Sequence, residues 1–246
     1  MRFSLALLLL GVVALVSCQS IGDTSGTQGN SKHLGTAPTA SSADSFSSKW
    51  TAEKTDTTKG ADYLSDVEKQ VIVEINKARS DPKAYALAYI EPLRYYYQGT
   101  ILQYPGETGV LTNEGIHALV ECIRVLTATE PVGVLYPKKG LTLAARDQAR
   151  DQAKTGATGH TGNDQSTVTE RMNRYGKWDL AAGENIDYGN AQARRIVISL
   201  LIDDGVMSRG HRRNILDKAF NFIGVAVGPH PTYRSMCVLD FAGAYR

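Results

Sequence analysis

Apolar side chains first fall into a clear rhythm at Val67, Val71 and Ile75, four apart, with Leu64, Ile72 and Ala78 widening the stripe. That spacing predicts an amphipathic helix with one buried face. Ser65-x-x-Glu68 in front of it is a capping box, in which each side chain satisfies the other residue's backbone N–H. The helix is expected to stop near Arg79, because Pro82 disfavours helical geometry at Asp81. Asp81 then caps a second, short helix with Pro82 at its first position, ending before Pro92. Ile116, Leu119, Val120, Ile123 and Leu126 predict a helix over 114–128. The clearest helix is 141–155, where Leu141, Ala145, Ala149 and Ala153 recur every fourth residue. Its small-residue face allows close packing, and Gly156 suits the position just past its end. Thr167-x-x-Glu170 caps a further helix closed by Gly176. Asn190 caps one carrying Ile196, Val197, Leu200 and Leu201, which ends at Asp203-Asp204-Gly205.

Strand patterns occupy 180–188, 222–227 and 233–241. Gly228-Pro229-His230-Pro231 between the last two predicts a β-hairpin, with His230 exposed in the turn. The segment 94–137, with Tyr95-Tyr96-Tyr97 ahead of Gly99, Pro105, Gly106 and Gly109, reads as loop or short strand outside its helix. Helices and strands mix without a βαβ rhythm, so the expected class is α+β with antiparallel pairing.

The first residues are targeting signal rather than fold. Arg2 precedes an apolar run over 5–16, too short for a comfortable membrane span. Leu15-Val16-Ser17-Cys18 resembles the lipobox of bacterial lipoproteins, which implies cleavage before a lipidated Cys18. Residues 18–62 are rich in Ser, Thr, Gly and Ala and read as a disordered tether. His33 and Trp50 within it are taken as incidental. Residues 63–246 then form one domain. Removing 1–17 takes Arg2 from 27 basic residues and nothing from 25 acidic ones, leaving a charge of +1 and no suggestion of nucleic acid. Cys122 and Cys237 remain, either paired or as two buried thiols.

Three groups stand beside glycines, where backbone turns sharply: His160 in Gly159-His160-Thr161-Gly162, Glu184 in Gly183-Glu184-Asn185, and His211 in Gly210-His211-Arg212. Two imidazoles and a carboxylate bind a metal or move protons. No His-Glu-x-x-His helix and no Gly-x-Ser-x-Gly elbow is present. His117 lies in a helix without a partner at ligand spacing and is read as structural. Ser208 is read as a loop hydrogen-bonder, and Arg209, Arg212 and Arg213 as a solvated basic loop.

The order of Glu74-Ile-Asn-Lys-Ala-Arg79, the Ala-rich helix, His160, Gly183-Glu184-Asn185-Ile186, Gly210-His211-Arg212-Arg213-Asn214-Ile215-Leu216 and Ile223-Gly-Val-Ala-Val resembles the CAP superfamily, also called SCP/TAPS. The resemblance implies an α-β-α sandwich with a mainly antiparallel central sheet. It also implies a cleft holding two histidines and two acids, matched here by His160, Glu184 and His211. The fourth acid, a glutamate in the family, falls at Asp203. The family's tryptophan on that helix is replaced by aliphatic residues, its cysteine-rich extension is absent, and 98–137 reads as an insertion. The implied function is binding of a lipid, sterol or other small hydrophobic ligand, or of a protein partner. The site residues would be His160, Glu184, Asp203 and His211, with His160 and His211 as candidate ligands for Zn²⁺ or another divalent cation. The protein is then expected at the bacterial cell envelope, held extracytoplasmically at the outer membrane or cell surface. A metal-dependent hydrolase of peptides or esters using His160, Glu184 and His211 is the alternative, and a structural polar cluster ranks third.

Overall fold

The computed structural model describes residues 50–246; Cys18, His33 and the leader lie outside the described residues. The first elements are α1 (Ala52–Thr55) and α2 (Asp66–Ser80). The capping box forms as expected: Ser65 N–H donates to Glu68 Oε2 at 2.7 Å, and Glu68 N–H to Ser65 Oγ at 3.4 Å. Asp81 caps α3 (Pro82–Tyr85) through Ala84 N–H. The chain does not leave helical geometry before Pro92. It passes through a π turn at Ala86–Ile90 into a 3-10 turn at Glu91–Tyr96, with Pro92 in its opening positions. A missing N–H is harmless in a first turn.

The segment 50–62 is not a free end of the tether. Trp50 is 7% exposed, donates Nε1–H to Lys77 O at 3.1 Å and stacks on Tyr89 with centroids 5.6 Å apart. Buried Asn76 of α2 donates to Thr55 O at 3.0 Å and accepts from Leu135 N–H at 2.8 Å, tying this strap to the domain. One aromatic anchor with a polar clasp is invisible to an averaged composition.

A small antiparallel meander follows, β1 (Tyr97–Gln98), β2 (Ile101–Leu102) and β3 (Val110–Leu111), and then α4 (Ile116–Ala128). The remaining elements are β4 (Tyr136–Pro137), α5 (Lys139–Thr155), α6 (Val168–Asn173), β5 (Trp178–Tyr188), α7 (Ala193–Ile202), α8 (Gly210–Leu216), β6 (Phe222–His230) and β7 (Arg234–Tyr245). The main sheet has the order β4-β6-β7-β5, with β4 parallel to β6 and the other pairs antiparallel. Successive residues of β7 point to opposite faces. Cys237, Leu239 and Phe241 join the core under α2, α4 and α7, whereas Met236, Val238 and Ala242 pack on the α5 side. The result is an α-β-α sandwich. On the α5 side, Gly224 of β6 lies so close that a Cβ there would sit 2.1 Å from the Leu141 carbonyl carbon.

Three local expectations are corrected. The hairpin strands run further, so Pro231-Thr232-Tyr233 form the turn. His230 is a strand end 2% exposed, with Nε2 bonded to Ala157 O at 3.0 Å and Nδ1 accepting from Thr232 N–H at 3.2 Å. Pro229 is tolerated in β6 because β4 covers only Phe222 and Ile223, which leaves an edge there. Asn190 does not cap α7; its amide donates to Asp187 at 3.0 Å, and Gln192 holds the cap position. Cys122 and Cys237 are two buried free thiols. Among the described residues, no helix is long and apolar enough to cross a membrane.

Candidate functional site

His160 sits in the loop that leaves α5. Gly156 ends that helix in left-handed geometry at φ +69°, and Gly159 turns the chain again at φ +101°. The Gly159 carbonyl accepts from Gln148 Nε2 at 2.8 Å and Gln152 Nε2 at 2.6 Å, both buried residues of α5. His160 Nδ1 meets Glu184 Oε1 at 2.8 Å, and the carboxylate opposite places the ring proton on Nδ1. Glu184 Oε2 accepts from Arg171 Nη2 at 2.7 Å, and the same guanidinium donates twice to His160 O at 3.1 Å. Arg171 therefore fixes both members of the pair.

The second pair is built where α7 ends. Asp203 is its C-cap, left-handed at φ +57°, which folds the short side chain back toward the start of α8. Its Oδ1 meets His211 Nδ1 at 2.7 Å, and its Oδ2 accepts from His211 N–H at 2.9 Å. An aspartate thus reaches its histidine although it is one methylene shorter than the glutamate that the resemblance implies at this place. It is 3% exposed, behind the histidine. Asn185 Nδ2 donates to His211 O at 3.0 Å and Asn214 Nδ2 to Asn185 Oδ1 at 2.8 Å, stitching β5 to α8. Buried Arg79 holds the other end of α8 through Ile215 O at 2.7 Å and Asp217 O at 2.9 Å.

The two imidazoles face one another with ring centroids 6.5 Å apart and planes inclined by 45°. His160 and His211 keep 35% and 22% side-chain exposure, against 1% for each carboxylate partner. Two histidine–carboxylate pairs from four separate segments therefore share one opening.

Two participants escaped sequence reasoning. Arg171 carried no signal, since charges on short capped helices usually face water. Asp240 did carry one: an acid inside the apolar run of β7. It pairs across the sheet with Glu184 and is fully buried. Burial pushes its acid well above the usual carboxylate range, and the Glu184 charge beside it adds to the push. Among the described residues, neither of its oxygens has a hydrogen-bond partner.

The other candidates lie elsewhere. His117 is exposed on α4, and Ser208 and Arg213 are exposed around α8. Arg209 and Arg212 are not a solvated basic loop; they pair with Glu114 and Glu121. Behind the His160 loop a polar cavity of about 200 Å³ is lined by Asp151, Asn163, Asp164, Ser166, Arg171 and Arg174 among others.

An α-β-α sandwich whose sheet and helix ends bring two histidine–acid pairs together defines a class of protein. The sequence model of CAP, the Cysteine-rich secretory protein family, matches residues 73–241, and the chain belongs to that family. Two solved structures are similar to it. An outer surface protein from Borrelia burgdorferi is 18% identical at a TM-score of 0.39, with 45% of this chain and 78% of that one covered. An extracellular protein containing a SCP domain from Bacillus anthracis str. Ames is 21% identical at a TM-score of 0.39, with 62% and 43% covered. No curated protein matches.

Proposed function

We propose that the domain is an extracytoplasmic binding module, attached to a membrane through lipidated Cys18. Its cleft takes the polar end of a lipid, sterol or other small hydrophobic ligand between His160 and His211. The observation that carries this reading is the pair of imidazoles 6.5 Å apart, each committed at Nδ1 to a buried carboxylate. That commitment leaves Nε2 of each ring as an acceptor or a metal ligand.

A divalent cation, Zn²⁺ first, suits such rings, because a carboxylate behind a ligand histidine fixes its tautomer. The fit is partial. Among the described residues, no three His, Cys, Asp or Glu side chains are grouped to hold an ion. His160 and His211 would supply two donors, and water or the ligand's own oxygen the rest. A bound ion would polarise that oxygen.

Calorimetric titration of the purified domain with Zn²⁺ tests the pair. Binding should weaken on acidification, because only neutral imidazole coordinates. His160→Ala or His211→Ala should abolish it while the circular dichroism spectrum stays unchanged. Ligand retention unaffected by either substitution would sink the shared cleft.

Hydrolysis is the second reading, favoured by the imidazole–carboxylate contacts, which also orient general bases. Its nucleophile would be water, since both thiols are buried and burial pushes Cys122 up to about 12. Metal-dependent turnover of an ester or peptide, lost in His160→Ala, would put it first.

A further inference from the structure

The loop 203–209 that delivers His211 is gripped from outside the cleft. It begins and ends on side-chain-bearing residues in left-handed backbone, Asp203 at φ +57° and Arg209 at φ +51°. Such residues persist only where their surroundings hold them. The grip comes from α4 and the turn before it. Glu114 takes Arg209 in a two-pronged pair, Nη1 to Oε1 and Nη2 to Oε2, both at 2.6 Å. Its Oε1 also accepts from Gly205 N–H at 2.7 Å. Arg209 Nη1 in turn donates to the Asp203 carbonyl at 2.8 Å. In the reverse direction, Asp204 accepts from the backbone N–H groups of Asn113 at 2.6 Å and Glu114 at 2.8 Å. Further along α4, Glu121 receives Arg209 Nε at 3.1 Å and Arg212 Nη1 at 2.8 Å.

These are not ordinary surface ion pairs. Side-chain exposure is 16% for Arg209 and 22% for Glu114, and the fork geometry is bidentate. Arg209 holds the Glu114 acid down to about 2.

Resting on the reading of His160 and His211 as a ligand cleft, we infer that Glu114 is a positioning residue for His211. Through Arg209 it fixes the left-handed loop that sets Asp203 behind the imidazole, and so governs affinity without touching a ligand.

Glu114→Gln keeps the size and an acceptor for Gly205 but removes the charge. The probe is Zn²⁺ by calorimetry, together with ¹⁵N spectra of the two imidazoles without metal. The Nδ1–H tautomer signature of His211 should be lost while that of His160 stays. The Zn²⁺ Kd should rise about tenfold, the low end of what removing a ligand histidine's hydrogen-bond partner produces. Glu107→Gln breaks an exposed ion pair with Arg195 elsewhere and should move neither signal. Should Glu114→Gln fail to fold, Arg209→Lys, which keeps the charge but loses the fork, is expected to give the same His211 change. A lowered Tm with a wild-type His211 spectrum and Kd would overturn the inference, leaving Glu114 a stabilising residue alone. If the wild type takes up no Zn²⁺, the cation reading of the cleft fails, and the His211 spectrum alone decides for or against Glu114.

Discussion

Asp187 and Asp240 leave opposite faces of the main sheet, and both are buried. Burial pushes Asp187 up to about 7, against hydrogen bonds from Ser199 and Asn190 that pull it down. An acid raised on folding favours the folded state fully below its unfolded value, about 3.9, and loses that contribution as pH climbs toward 7. Asp187→Asn keeps an acceptor for Asn190 and cannot ionise. Its unfolding free energy should be flatter than wild type between pH 4 and 7, and higher at pH 7 by on the order of 2–4 kcal/mol. Urea midpoints measured across that range decide it, and parallel slopes in the two proteins would reject the assignment. Asp240→Asn should differ from Asp240→Ala for a related reason. Asparagine keeps the side chain's volume and cannot ionise, so its cost should stay under about 1 kcal/mol. Alanine leaves a void, costing about 2–3 kcal/mol by thermal unfolding. Equal losses would show that the space Asp240 fills contributes nothing to stability. The histidines and Glu184 were legible because each stands beside a glycine in an ordered run of motifs. Asp240 was legible only as a polar residue in a buried strand, and Arg171 not at all, since its role depends on a loop that sequence spacing does not place.

Between elements, the closest approach is that of α5 on β6. A methyl group at Gly224 would fall 2.1 Å from the Leu141 carbonyl carbon and 2.2 Å from Thr142 N. Both are backbone atoms and cannot swing aside. Gly224→Ala should therefore cost about 3 kcal/mol, the top of the range for overpacked cores. A loss below about 1 kcal/mol in chemical denaturation would show that α5 slides freely over the sheet. The small-residue stripe of Leu141, Ala145 and Ala149 announces this contact by its spacing alone, as the two serine and threonine capping boxes announce α2 and α6. What stayed hidden has a common cause. The parallel strand β4 is two residues long, too short for any periodicity. The helical run through Pro92 depends on a change of helix type rather than on apolar spacing. The hairpin turn shifted because Gly228 and Pro229 signal a turn locally but lie on an edge where strand geometry tolerates them.

At the scale of the molecule, the packed body reaches at least as far back as Trp50, well ahead of Ser65. Trp50→Ala removes a ring stacked on Tyr89 and bonded to Lys77 O, and should cost about 3 kcal/mol. Limited proteolysis of the wild type should stop close to Trp50, since packed chain resists cleavage. In the variant, cutting should advance to the 57–64 region, and an unchanged boundary would mean that Asn76 and Thr55 hold the strap unaided. On the proposed reading, attachment to the membrane belongs to lipidated Cys18, ahead of that boundary. Among the described residues no helix is long and apolar enough to cross a bilayer. Acyl chains on Cys18 would supply roughly 0.8 kcal/mol per buried methylene, which for more than one chain amounts to firm anchorage. Cys18→Ser is therefore expected to move the mature protein from the membrane fraction to the soluble one, with the His160 and His211 spectra unchanged. Retention of the variant on membranes through a high-salt wash would locate the hold in the domain itself.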